Sequence, residues 1–143
     1  MKKAAILYNS STGTTQHYAR EIGAYLKQKG LEVQLSSIQE YRSDPQVLDG
    51  ADYVLLGCWT KGLMIIFQHP EKAWKAFAGS LPRIPDVKLG LFTTYQLAAG
   101  SMFKNMYRHL QEKFAAPALE LKSRTGSRSL QDRQALDQFL ARG

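Results

Sequence analysis

Residues 8–16 read YNSSTGTTQ, Tyr8 to Gln16. Between Ser10 and Thr15 five hydroxyl side chains surround one glycine, Gly13. An apolar run, AAILY (Ala4–Tyr8), precedes the stretch, and a helical pattern follows it, with Ala19, Ile22 and Leu26 recurring every three or four residues. A short apolar run ended by turn residues predicts a buried strand. The hydroxyl-rich stretch is therefore a strand-to-helix turn, with free backbone N–H groups and the positive end of the helix dipole at its exit. Gly13 permits close backbone approach, and Ser10, Thr12, Thr14 and Thr15 add hydroxyl donors. One helix cap needs one hydroxyl, so five imply an anion held by neutral groups. The turn lacks the Gly-Lys-Ser/Thr ending of a nucleotide triphosphate loop, and it lacks GxGxxG.

The pattern repeats outward from this turn. Gly30 predicts a helix stop, and LEVQL (Leu31–Leu35) alternates like a strand with one wetter face. Residues 36–50 read as a polar connection with a helical turn after Pro45. ADYVLLGCW predicts a second buried strand through about Gly57, followed by a loop, WTKGLMIIFQH. Pro70 suits a first helical position, and Ala73, Trp74, Phe77 and Leu81 make the buried stripe of the helix it opens. VKLGLF (Val87–Phe92) reads as a further strand, and TTYQLAAG (Thr93–Gly100) as its loop. Ser101 caps a helix with Met102, Phe103, Met106, Leu110 and Phe114 on one side, ended by Pro117. A short strand at Ala118–Leu121 and a helix capped by Ser129 with Asp132 close the chain. Five strands alternating with four helices must pair in parallel with right-handed crossovers, giving a three-layer α/β sheet in one domain over residues 1–143.

In such a sheet, ligands bind beyond the carboxyl ends of the strands. Ile6-Leu7-Tyr8-Asn9-Ser10-Ser11-Thr12-Gly13-Thr14-Thr15, followed by Ala19 and Ile22, resembles the FMN phosphate signature of flavodoxins. The length resembles the short-chain branch of that family. The resemblance implies a doubly wound five-stranded parallel sheet of order 2-1-3-4-5, the order flavodoxin itself exemplifies. It also implies FMN, with its phosphate at Ser10, Ser11, Thr12, Gly13, Thr14 and Thr15. The loop Gly57–Gly62, with Cys58, Trp59, Thr60, Lys61 and Gly62, is similar to the family loop at one face of the flavin ring. Lys61 stands where many members carry a bulky residue, so Trp59 or Met64 covers that face. The resemblance further implies that the Lys61–Gly62 peptide flips on reduction. Thr93, Thr94, Tyr95 and Gln96 resemble the second ring loop, with Tyr95 as the outer stacking residue. Cys58 has no base in reach on sequence grounds, and packing is its expected role.

The function implied is single-electron transfer between redox proteins. FMN-dependent reduction of a quinone by NAD(P)H, service as an activator flavoprotein, and a flavin-free module are the alternatives. Lys and Arg number 19 against 12 Asp and Glu, a net charge of +7. The two ring loops hold Lys61 and no carboxylate, so reduced, anionic flavin should be less penalised than in acidic flavodoxins. The same charge favours redox partners with acidic docking surfaces. Nucleic acid is not an expected partner, because no recognition motif accompanies the charge. The three histidines are scattered and Cys58 is alone, which argues against a metal site and a disulfide framework. No apolar run reaches the roughly 18 residues of a membrane span, and the apolar start is too short for a signal peptide. A cytoplasmic protein is expected. The oligomeric state is left open.

Overall fold

A computed structural model describes residues 2–9, 14–43, 45–60, 77–84, 86–95, 103, 107–108, 110–123 and 128–141. Strand β1 (Lys3–Asn9) leads to helix α1 (Thr14–Gln28), strand β2 (Glu32–Ser37), helix α2 (Ile38–Ser43) and a 3-10 turn (Pro45–Leu48). Strands β3 (Tyr53–Thr60), β4 (Lys88–Tyr95) and β5 (Leu119–Ser123) follow, then helix α3 (Leu130–Ala141). Residues 77–80, 103 and 107–108 are also helical. The strands form one sheet of order β2-β1-β3-β4-β5, the order the resemblance implied. Every neighbouring pair is parallel.

The central strands are apolar on both faces because both faces are covered. Ala4, Ile6 and Tyr8 of β1, with Tyr53 and Leu55 of β3, Phe92 of β4 and Leu119 and Leu121 of β5, pack against Tyr18, Ala19, Ile22 and Leu26 of α1 and Leu136 and Phe139 of α3. The alternate residues Ala5, Leu7, Val54, Leu56, Leu89 and Leu91 face a second core with Ile38, Tyr41, Phe77, Leu81, Leu110 and Phe114. Helix α1 ends where Gly30 was expected to stop it. Gly30 adopts φ +91°, its N–H reaches the Lys27 carbonyl at 3.0 Å, and the Leu31 N–H reaches the Leu26 carbonyl at 3.2 Å. This pair of bonds is the Schellman ending, which glycine accommodates without steric cost.

The expected cap of the last helix is present. The Asp132 N–H donates to Ser129 Oγ at 3.1 Å, and the Ser129 N–H donates to Asp132 Oδ2 at 3.0 Å.

Three readings need correction. Residues 36–50 are more than a polar connection: β2 runs to Ser37, and α2 buries Ile38 and Tyr41. Its start is a full capping box, with the Glu40 N–H donating to Ser37 Oγ at 3.1 Å and the Ser37 N–H to Glu40 Oε1 at 2.9 Å. Those bonds, above all the one from the Ser37 backbone, hold the Glu40 carboxyl below its usual value. Strands β3, β4 and β5 also run past their expected ends, to Thr60, Tyr95 and Ser123. Trp59 and Thr60, and Thr93 to Tyr95, are therefore strand residues, because parallel partners are available to β3 and β4 there. Finally, the helix expected through Phe114 gives way to turns over residues 110–114, where the Phe114 N–H reaches the Leu110 carbonyl at 3.0 Å. Pro70, Ala73, Trp74, Ser101, Met102 and Met106 lie outside the described residues. Among those described, no helix is long and apolar enough to cross a membrane.

Candidate functional site

The carboxyl ends of β1, β3 and β4 lie side by side. Register pairs Tyr8 with Gly57 and Asn9 with Cys58 across β1 and β3. It pairs Cys58 with Thr93, Trp59 with Thr94 and Thr60 with Tyr95 across β3 and β4. Residues expected to serve one site from two loops therefore sit opposite one another on adjacent strands. Helix α1 begins at Thr14, beyond the end of β1, and carries no acidic residue in its first turn. An anion there meets the positive end of the helix dipole with no nearby carboxylate of that turn to repel it.

Thr15, the second residue of α1, is fully buried, as are Thr93 and Thr94 of β4. The Thr15 and Thr94 hydroxyls are 2.6 Å apart, and either can donate to the other. The Thr93 hydroxyl donates to the Thr94 carbonyl at 3.3 Å. Beneath these threonines, the Phe92 ring lies over Gly57. A Cβ at position 57 would fall 2.1 Å from Phe92 Cε2, so any side chain there would force the ring to shift. Phe92 in turn meets the Tyr18 ring edge-on, with centroids 5.9 Å apart. The Tyr18 hydroxyl donates to Asp132 Oδ2 at 2.8 Å. Asp132 thus serves two elements, capping α3 and holding Tyr18 of α1.

Of the residues singled out from sequence, the structure brings Thr15 and Thr94 into direct contact and places Thr93 beside them. For Thr14, Cys58, Trp59, Thr60 and Tyr95 only the backbone is described, at the start of α1 and at the carboxyl ends of β3 and β4. Ser10, Ser11, Thr12, Gly13, Lys61, Gly62, Met64 and Gln96 lie outside the described residues. Sequence reasoning missed the floor made by Gly57, Phe92, Tyr18 and Asp132. The glycine inside an otherwise bulky strand run was the available signal, since such a glycine marks a close approach.

A protein-family model described as Flavodoxin matches residues 6–128. Among solved structures, oxidised flavodoxin 2 from Bacillus cereus superimposes with a TM-score of 0.73 at 19% identity, covering 99% of each chain. The two-electron reduced flavodoxin of Megasphaera elsdenii gives 0.70 at 22% identity, covering 98% of this chain and 99% of that one. Oxidised flavodoxin 1 from Bacillus cereus gives 0.69 at 21%, covering 98% and 95%. These likenesses establish the fold, and the family match goes further. The chain belongs to the flavodoxin family, whose members bind FMN and transfer electrons.

Proposed function

We propose that this protein carries single electrons between redox proteins on an FMN held at the carboxyl ends of β1, β3 and β4. The observation that carries this reading is the meeting of three strand ends near the start of α1, together with the run of neutral donors that the sequence places between β1 and that helix. Those donors suit a phosphate monoester. The amides of α1 and the hydroxyls of Ser10, Ser11, Thr12, Thr14 and Thr15, with Gly13 between them, would hold it without a countercharge. Cys58, Trp59, Thr60, Lys61 and Gly62 would flank the ring from β3; from β4, Tyr95 would stack on it, and only the backbone groups of Thr93, Thr94, Tyr95 and Gln96 would meet its pyrimidine edge. Bound FMN supplies one- and two-electron chemistry. The chain supplies orientation and electrostatics.

The basic balance sets the rest of the reading. With Lys61 at the ring and no carboxylate between Gly57 and Gln68 or between Thr93 and Gly100, the couple to the fully reduced flavin should be less negative than in acidic flavodoxins. A net charge of +7 favours redox partners with acidic docking surfaces. A peptide flip at Lys61–Gly62 would accompany reduction. One domain comprising the whole chain, working in the cytoplasm, agrees with a lone cysteine and one continuous sheet.

Anaerobic stopped-flow experiments on FMN-loaded protein test the reading. Rapid one-electron exchange with an acidic redox protein, slowing as salt is added, is expected. Negligible direct oxidation of NADH or NADPH should accompany it. Fast turnover of NADH with a quinone would instead identify a reductase. Rates that rise with salt would remove the acidic partner.

A further inference from the structure

The Thr15–Thr94 bond joins two parts of the site that the chain keeps 79 residues apart. Thr15 lies in the first turn of α1, where the phosphate is proposed to bind, and Thr94 lies in β4 opposite Trp59, where the ring is proposed to lie. Both side chains are fully buried. Tyr18, Ala19, Ile22 and Leu26 of α1 pack into the apolar core on this face of the sheet, and the Tyr18 hydroxyl reaches Asp132 of α3. Apolar packing is non-directional and does not by itself tie one polar group of the helix start to one group of the sheet. An O–H···O bond of 2.6 Å is directional, at the short end of the ordinary range. It fixes where the first turn stands relative to the end of β4.

We propose that Thr15 and Thr94 form a positioning latch that makes the grip on the phosphate depend on a residue of the ring strand. Thr94 acts through Thr15 on the helix start. This inference rests on the proposed FMN site and deepens it. Valine has nearly the shape of threonine without the hydroxyl. Thr94→Val therefore removes the latch while filling the same space, and it leaves the buried Thr15 hydroxyl without this partner.

The test compares FMN with riboflavin, which has the ring but no phosphate, by quenching of flavin fluorescence on titration with apoprotein. Thr94→Val should weaken FMN about tenfold and riboflavin less than about twofold. Thr15→Val should weaken FMN at least as much, and the double variant no more than Thr15→Val alone, because Thr94 acts only through Thr15. Thr94→Ser restores the hydroxyl and should recover FMN affinity to within about twofold of the original. It also keeps the proposal open to refutation if the valine variant fails to fold. Equal losses of FMN and riboflavin in Thr94→Val would overturn the latch, since Thr94 would then act on the ring. Additive losses in the double variant, or failure of Thr94→Ser to recover, would also overturn it. Failure of the unsubstituted protein to bind either flavin would instead refute the FMN site itself, and the latch with it.

Discussion

The two ends of the sheet are held together by different chemistry. At the amino ends the ties are polar and exposed. Asp52 Oδ2 accepts from the Lys3 N–H at 3.0 Å, and the Lys3 ammonium donates to the Asp49 carbonyl at 2.6 Å. Backbone bonds from Glu32 to Lys2, Asp52 to Lys3 and Lys88 to Asp52 complete the rim. At the carboxyl ends the ties are neutral or buried: the Thr15–Thr94 pair, the ring of Phe92 over Gly57, and Tyr18 against Asp132. Helices α1 and α3 repeat the contrast. Tyr18 and Asp132 meet in the interior, whereas Tyr25 donates to an exposed Asp137 at 2.5 Å, and Lys29 stands 3.4 Å from the same carboxylate. A water-facing tie is replaceable by water. A buried one fixes geometry, because its partners have few alternatives.

The sharpest way to break the contrast is Gly57→Ala. The added methyl would overlap the Phe92 ring, which is fully buried and packed edge-on against Tyr18, so that the ring would have to shift within the core. A loss of about 3 kcal/mol is expected from overpacking, seen as a lower denaturation midpoint. Asp132→Ala comes next. It removes the side-chain half of the α3 cap and takes from buried Tyr18 its carboxylate acceptor, at a cost of about 2 kcal/mol. Asp52→Ala, at the opposite end, should cost only about 0.5 kcal/mol, since water replaces an exposed acceptor. A cost at Asp52 equal to that at Asp132 would erase the distinction between the two ends.

The smallest effect is one of pH. The Tyr25 hydroxyl, and then Lys29, hold the Asp137 carboxyl below its ordinary value. A group lowered on folding adds stability above its unfolded pKa of roughly 4 and loses it as the pH falls through the lower folded value. Asp137→Asn should therefore be slightly less stable than the original protein at neutral pH. The two should converge as the pH falls below about 4. A difference that grows on acidification would mean that the sign is wrong. Added salt should also shrink the neutral-pH difference, because Asp137 and Lys29 are both exposed.

Much of this was legible in the chain. Parallel pairing followed from strands alternating with helices, and the helix stop at Gly30 and the cap at Ser129 came from local chemistry. Helix α2 was missed although Ser37 and Glu40 stand at the spacing of a capping box. The segment is short, and its polar composition outweighed the two buried residues, Ile38 and Tyr41. The ends of β3 and β4 were misjudged because threonines, Trp59 and Tyr95 read equally well as loop or strand. Only the neighbouring strand decides between them. The site's residue types were visible, but their pairing was not. Two threonines 79 residues apart carry no sign that their hydroxyls meet, and nothing local ties Tyr18 to Asp132.

The claim beneath all of this is that the carboxyl ends of β1, β3 and β4 hold FMN by its phosphate as well as its ring. Titration of the apoprotein with FMN and with riboflavin tests it most directly. The account predicts one FMN bound per chain, with quenched flavin fluorescence and an affinity at least about tenfold above that for riboflavin. Equal affinities would contradict a phosphate site at the start of α1, and unchanged fluorescence with both would contradict the flavin site as a whole.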